Sequence, residues 1–277
     1  MNKILEKEFI TPTVFRMKVE AADIARKRRA GQFIILRTSD LGERIPLTIA
    51  DANAEEGWIE LVVQVVGKTT KSLSLLDAGD SIYDLVGPLG RPTHIEMYGT
   101  VVIIGGGIGI APSHPIAQAM KAAGNEVIAI LGGRTKELVI MEDRMRAVAD
   151  RVLITTDDGS YGMKGVVTDA LQKLLDEGVD VSLVVAIGPP IMMKFVSLMT
   201  KKFSIPTLVS LNTIMVDGTG MCGACRVSVD GQTKFVCVDG PEFDGHKVDF
   251  DEMMKRLRMY EEQEKESMER YISQVGE

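Results

Sequence analysis

All three cysteines of the chain, Cys222, Cys225 and Cys237, follow closely on Asp217. They form a C-x2-C-x11-C pattern, and four residues separate Asp217 from Cys222. Plant-type [2Fe-2S] centres use C-x4-C-x2-C and a more distant fourth cysteine. Here Asp217 stands in the first place and the other three places match. Such a centre needs two protein ligands on each iron, and a carboxylate supplies a harder oxygen donor for the fourth. Gly218, Gly220 and Gly223 let the backbone wrap closely and aim N–H groups at sulfur. Zinc and unmetallated structural cysteines are the competing readings. Structural zinc commonly draws on two close cysteine couples, and one is present. An odd cysteine count argues against a disulfide framework.

The rest of the chain must then supply an electron path to that segment. Its 277 residues suffice for two ordinary domains and an appendage. A net charge of −7 argues against nucleic acid as a main partner. No apolar run approaches the ~20 residues that span a bilayer; the longest, Val101 to Pro112, is interrupted by glycines. Met1 to Ile4 leads directly into charged residues, so no signal peptide is expected. These features fit a soluble, reducing, cytoplasmic setting.

Residues 1–98 contain short alternating runs at Glu8–Ile10, Val14–Val19, Gln32–Arg37, Trp58–Val66 and Ser81–Val86. Turn signals such as Ala78-Gly79-Asp80 separate them, and the pattern predicts an antiparallel barrel or sandwich. Arg44-Ile45-Pro46-Leu47-Thr48 brackets a proline with a cation and a hydroxyl. Gly67-Lys68-Thr69-Thr70 opens a short helix, and Gly87-Pro88-Leu89-Gly90 makes a tight turn. Each alone is ordinary turn chemistry. In this order they resemble the flavin-binding barrel of the ferredoxin–NADP reductase superfamily. That resemblance implies FAD, held by Arg44, Pro46, Leu47, Thr48, Val63, Gln64, Gly67, Thr69, Thr70 and Gly87. Leu47 departs from the aromatic residue that many members carry between the proline and the hydroxyl.

Residues 99–211 change rhythm. Strands are expected at Thr100–Ile104, Glu126–Leu131, Arg151–Thr155, Val181–Ile187 and Pro206–Leu211. Helices are expected at Pro112–Ala123, Lys136–Ala149, Gly165–Asp176 and Pro190–Phe203. Strand–helix alternation with continuous Val/Ile runs predicts a parallel sheet covered on both faces. Ligands of such sheets bind beyond the carboxyl ends of the strands. Those ends carry Gly105 to Pro112, Gly132-Gly133-Arg134, Asp157-Asp158-Gly159 and Gly188-Pro189-Pro190. The first turn is not a G-x-G-x-x-G fingerprint. It still offers close backbone approach and a proline suited to a first helical turn. Together the turns resemble the nicotinamide-dinucleotide domain of the same superfamily. The resemblance implies NAD(H), met by Gly105, Gly107, Gly109, Ala111, Pro112, Gly133, Arg134, Asp157, Asp158, Gly188 and Pro189. Hydride transfer between two bound rings needs placement more than a protein acid or base, so no catalytic side chain is assigned. His94, His114 and His246 lack ligand-like spacing and read as surface or packing residues.

Residues 212–248 form the metal segment, with a hairpin around Asp230-Gly231 returning Cys237 to the first pair. From Asp249 to Gln274 a single helix is expected, with apolar groups Phe250, Met253, Met254, Leu257 and Met268, Tyr271, Ile272, Val275. A polar stretch, Glu261 to Ser267, divides them. The helix packs on its own domain or extends one group to a partner. The fold expected for residues 1–277 is therefore an antiparallel β-barrel, a parallel α/β domain, a [2Fe-2S] segment and a terminal helix. Over essentially its whole length the chain resembles one subgroup of the superfamily. That subgroup holds the electron-transfer subunits of NAD-dependent dihydroorotate dehydrogenase and the small subunits of NADH-dependent reduced ferredoxin:NADP+ oxidoreductase. The dihydroorotate branch uses four cysteines, whereas Asp217 with three cysteines is the set of the electron-bifurcating branch. The resemblance implies a path from NAD(H) through FAD and [2Fe-2S] to a larger flavin and iron–sulfur subunit, which handles ferredoxin. A dihydroorotate dehydrogenase electron-transfer subunit, a stand-alone NAD(P)H–ferredoxin reductase and a non-enzymatic zinc-stabilised dinucleotide sensor are the alternatives.

Overall fold

The computed structural model describes residues 2–275, and the Val275 side chain lies outside what is described. Eight strands build the first unit: β1 (Asn2–Thr11), β2 (Val14–Glu20), β3 (Phe33–Arg37), β4 (Ile45–Thr48), β5 (Asp51–Asn53), β6 (Trp58–Gln64), β7 (Ser81–Ile82) and β8 (Asp84–Leu89). Short helices α1 (Ala22–Lys27) and α2 (Lys68–Ser74) join them. The strands form a five-stranded sheet, β5-β6-β2-β1-β7, and a three-stranded sheet, β4-β3-β8. All their pairings are antiparallel. Alternate apolar side chains from both sheets close on one core that includes Phe15, Ile34, Leu36, Ile59 and Leu61.

The second unit is a doubly covered sheet. Its strands are β9 (Thr100–Gly106), β10 (Glu126–Gly133), β11 (Arg151–Thr156), β12 (Met163–Lys164), β13 (Val181–Ile187) and β14 (Thr207–Ser210). Helices α3 (Ile110–Ala122), α4 (Glu142–Arg146), α5 (Val167–Asp176) and α6 (Pro190–Lys202) connect them. The sheet order is β12-β11-β10-β9-β13-β14, parallel throughout. The chain runs outward one way from β9, then restarts on its other side with β13. That reversal opens a crevice between β9 and β13. Strand interiors such as Val101 to Ile104 are fully buried, as a sheet covered on both faces requires.

The third unit starts with hairpin β15 (Arg226–Val229) and β16 (Gln232–Phe235), then one helical turn, α7 (Val236–Asp239). Strand β17 (Glu242–Asp244) joins the large sheet antiparallel to β14. The segment is thereby an edge strand of the second unit. Helices α8 (Phe250–Leu257) and α9 (Glu261–Val275) follow.

Two helical expectations need correction. Lys136–Ala149 is not one helix: a 3-10 turn at Lys136–Leu138 precedes α4, and Met141 breaks the run at φ +55°. Ile140, 4% exposed, must reach the core, and an unbroken helix would not turn it there. The terminal helix is also divided. Phe250 and Met253 of α8 are buried, and Arg258 to Tyr260 form a turn. The polar face that follows has nothing to bury beside α8, so α9 swings away and lies along α2.

The connector between barrel and sheet is stitched to the third unit. Arg91 N donates to Gly240 O at 2.7 Å, and Thr93 N to Ala30 O at 2.9 Å. Thr93 Oγ1 donates to Glu242 Oε1 at 2.6 Å. Burial pushes the Glu242 carboxyl up to about 7, and the Thr93 hydroxyl only partly offsets it. A folded pKa above the ordinary carboxyl value means the folded state holds the extra proton. That contribution to stability is complete below the unfolded value and is lost as pH rises through about 7. Glu242→Gln should therefore gain thermal stability relative to wild type as pH rises from about 4.5 to about 7, and hold that gain above it. Paired melting curves across that range test this, and a constant offset between the two proteins would contradict it.

Candidate cofactor and electron-transfer site

β4 pairs with β3 so that Thr48 opposes Phe33, Leu47 opposes Ile34, Pro46 opposes Ile35 and Ile45 opposes Leu36. Every residue of β4 is only half-buried, although three of the four are apolar. Just before it, Arg44 Nε is buried with no hydrogen-bond partner. An unmet buried donor is costly, and an oxygen-rich ligand over β4 would satisfy it. Thr69 Oγ1 donates to Glu43 Oε2 at 3.0 Å, and Lys68 Nζ stands 3.4 Å from Glu43 Oε1. These two donors already hold an oxyanion, the chemistry a pyrophosphate presents. The predicted flavin set therefore fits FAD at Arg44, Pro46, Leu47, Thr48 and Thr69.

Three other members of that set have different work. The Thr70 hydroxyl accepts from Val66 N and Gly67 N at 3.0 Å each and donates to Gly67 O, so it caps α2. Val63 is 1% exposed inside the barrel core. Gly87 permits close strand approach, since a Cβ there would lie 2.6 Å from Ile34 Cγ2. Gln64 is half-buried at the end of β6, beside the turn that leads to α2.

The dinucleotide residues fall into two neighbouring groups. Gly105 lies near the end of β9, Gly107, Gly109, Ala111 and Pro112 follow it, and Gly188 and Pro189 follow β13, so all border the crevice. Gly109 is required by proximity: a Cβ would lie 2.3 Å from Ile187 O and 2.8 Å from Gly188 Cα. Gly107 is required by conformation, at φ +56° with open space around it. The turn they form lies against β6 of the barrel. Gly133, Arg134, Asp157 and Asp158 make the second group at the ends of β10 and β11. There Asp157 N donates to Gly133 O at 3.1 Å and Asp158 N to Arg134 O at 3.2 Å. Arg134 is exposed. Thr135 donates to Glu137 at 2.6 Å and holds that carboxyl below its usual range. Such backbone-lined turns at strand ends fit an extended dinucleotide.

The cysteine loop presses on β3. A Cβ on Gly218 would lie 2.7 Å from Leu89 Cδ1 and 2.9 Å from Ile35 Cγ1. Cys225 and Cys237, each 1% exposed, are free thiols with sulfurs 3.2 Å apart. Burial, then the Cys225 thiol, pushes Cys237 up to about 12. Cys222 is exposed. The Asp217 carboxylate accepts from Thr219 N at 2.8 Å and from Cys222 N at 2.9 Å. The Thr219 amide, then that of Cys222, holds it below the usual carboxylate range. Asp217 is thus ionised at the mouth of the loop. Two adjacent buried sulfurs, one exposed sulfur and one oxygen anion are the donor types an iron–sulfur centre takes, although among the described residues no three such side chains converge closely enough to hold a metal as they stand.

Barrel, switch-point crevice and cysteine loop define an electron-transfer protein of the ferredoxin-reductase-like class. Residues 212–249 match the iron–sulfur cluster binding domain of dihydroorotate dehydrogenase B. Residues 103–198 match the oxidoreductase NAD-binding domain. The chain is 54% identical, over its full length and 98% of the relative, to a dihydroorotate dehydrogenase B (NAD(+)) electron transfer subunit homolog of Thermotoga maritima. It is 36% identical, over 90% of its length and 97% of the relative, to the corresponding subunit of Streptococcus mutans. A chain of the NADH-dependent reduced ferredoxin-NADP oxidoreductase, solved in a study of flavin-based electron bifurcation, superposes with a TM-score of 0.93. That chain is 54% identical, and the match covers 98% of both. The protein belongs to the family of dihydroorotate dehydrogenase B electron-transfer subunits.

The sequence reading passed over Glu60, Arg144 and Glu242, which the fold buries or encloses at the seams between units, whereas His114, read as a surface or packing residue, is buried beside them. Only Glu60 carried a signal, as a carboxylate between Ile59 and Leu61 in an otherwise apolar strand.

Two outcomes test the site. Asp217→Ala should lose the cluster absorbance while FAD stays bound, and Asp217→Cys should restore a cluster with an altered spectrum. Full iron and an unchanged spectrum in the alanine variant would remove Asp217 from the donor set. Gly109→Ala should weaken NADH binding about tenfold or more by forcing the two turns apart, without loss of flavin. Titration of NADH against both proteins reads this directly.

Proposed function

We propose that this chain is the NAD(H)-handling, FAD- and [2Fe-2S]-carrying subunit of an electron-bifurcating NADH-dependent ferredoxin:NADP+ oxidoreductase. Residues 1–98 would hold FAD, 99–211 the dinucleotide, and 212–248 the cluster, with 249–277 as the terminal helical part. The observation that carries this reading is Asp217 in the place of a first cysteine, on a chain that superposes along 98% of its length on a subunit of such a complex. The chemistry supplied when FAD is bound is exchange of a hydride with a nicotinamide on one side and of single electrons with an iron–sulfur centre on the other.

The chain's own residues bind and orient. Arg44 and Thr69 face the flavin's oxygen-rich parts, while Pro46, Leu47 and Thr48 line its bed. Gly105, Gly107 and Gly109 admit the dinucleotide backbone, and Gly188 and Pro189 close the other side of the crevice. Asp217, Cys222, Cys225 and Cys237 would hold the cluster, in a loop that packs on β3 beside β4. Cys222 is exposed beside Met221, which is 88% exposed, and Val216 and Val238 are exposed near it. That apolar rim supports an outlet toward a larger flavin and iron–sulfur subunit, through which ferredoxin would exchange electrons. Among the described residues no helix is long and apolar enough to cross a membrane, and we place the protein in the cytoplasm.

Gentle anaerobic purification from the native source, with the co-eluting chain identified by mass spectrometry, tests the reading. A larger flavin and iron–sulfur subunit that oxidises NADPH is the expected result. A dihydroorotate-oxidising partner would move the chain to the pyrimidine branch, and a chain that elutes alone would overturn the heteromeric assignment.

A further inference from the structure

The seam between barrel and dinucleotide unit contains an ion pair between a buried carboxylate and a half-buried guanidinium, with no part in the hydride path. Glu60 of β6 is 1% exposed. Both its oxygens accept from the Arg144 guanidinium of α4: Oε1 from Nη1, and Oε2 from Nη2 at 3.1 Å. Arg16 of β2 lies 3.9 Å away as a second, weaker cation. His114 of α3 is buried next to them, its ring facing the Ala50 backbone and its Nδ1 without a partner. Ala50 is two residues beyond Thr48 of the flavin bed, and His114 is two beyond Pro112 of the dinucleotide turn.

The remainder of this seam is apolar. Val14, Ala50 and Val62 of the barrel share a core with Ile116, Met120, Ile140 and Met145. Apolar burial is non-directional and tolerates sliding. A two-bonded carboxylate–guanidinium fork fixes angle as well as distance. The carboxylate is buried and the guanidinium half-buried, so the Glu60 charge is satisfied only in the register that brings Arg144 to it. β6 runs on to the turn before α2, and α4 follows the loop after Gly133 and Arg134. The fork therefore ties the flavin-side turn to the dinucleotide-side loop.

We propose that Glu60 and Arg144 are positioning residues that set the register of the two units and so the approach of the nicotinamide to the flavin. The inference rests on reading the chain as an NADH–FAD subunit.

The test uses Glu60→Gln, Arg144→Gln and the double variant, each purified as the full chain with its flavin and partner. Thermal stability, flavin content, NADH affinity and the limiting rate of flavin reduction at saturating NADH are measured anaerobically. Arg144→Gln strands the buried Glu60 carboxylate and Glu60→Gln leaves the half-buried Arg144 guanidinium unpaired, so stability and rate should fall in both, more in the first. The double change removes both charges, so its melting temperature should return most of the way to wild type. Its limiting rate should stay lower by about tenfold or more, because misplacement by about an ångström is enough for that. Flavin content and NADH affinity should remain within about twofold of wild type, which locates the loss in ring approach. A rate that recovers together with the melting temperature would make the pair merely structural and overturn the proposal. So would undiminished rates in the single variants, or a rate loss matched by loss of flavin. A wild-type flavin that NADH fails to reduce would overturn the functional reading itself, a result distinct from any of these.

Discussion

The two-faced burial of β3 is the constraint on which the rest of the structure depends. Ile34 and Leu36 point into the barrel core, while Phe33 and Ile35 point into the core shared with the cysteine segment and the large sheet. One strand therefore belongs to two cores, and alternation along it cannot slip by a residue without inverting both. Its edge partner β4 carries the flavin bed, and its outer face receives Gly218 of the cysteine loop. The separation of β4 from the cysteine loop is in this way set by strand geometry, not by a flexible loop. Gly218 must lack a side chain for the same reason: a Cβ would push the loop off Ile35 and Leu89.

The large sheet has a matching economy. β9 is its oldest strand in chain order and its centre, and the two halves grow from it in opposite directions. The crevice so created lies beside β6, because the Gly107–Gly109 turn packs there. The same sheet accepts β17 at its far edge, which carries the cysteine segment back toward the barrel. The glycine turn of the crevice thus lies against β6 of the barrel, and the cysteine loop against β3 and β8.

Much of this was legible in the sequence. Strict alternation in the first part, continuous Val/Ile strands in the second and the cysteine spacing in the third each reflect local physics. The glycine turns also declared themselves, although periodicity could not say that Gly109 is needed for proximity and Gly107 for conformation. What escaped were features decided by long-range packing. Val139 and Ile140 sit in a run with helical promise, yet Ile140 must enter the core and the helix breaks at Met141. The terminal helix looked continuous because nothing local in Arg258 to Tyr260 announces a turn. Thr70 carries the residue type of a ligand donor, but its hydroxyl is consumed by its own backbone. The partners of Glu60 and Glu242 lie 84 and 149 positions away, beyond any local pattern.

The placement of perturbed groups bears on how such a protein works. In many enzymes buried titratable groups gather where bonds are made and broken. Here the predicted ring-contacting turns carry mostly glycine and proline, and the buried charges lie at the seams. Burial lowers the His114 pKa, Arg144 reinforces the shift, and Asp51 and Glu60 oppose it. A lowered imidazole pKa costs stability as pH falls through the ordinary histidine range, whereas the raised Glu242 carboxyl costs stability as pH rises through about 7. One seam thus weakens as pH falls below the ordinary histidine range, and the other as pH rises from the ordinary carboxyl range to about 7. Hydride transfer between two held rings asks for no proton from the protein, only for their approach. Polar groups costly to bury are therefore spent on fixing the units relative to one another, because that is where this chemistry is controlled.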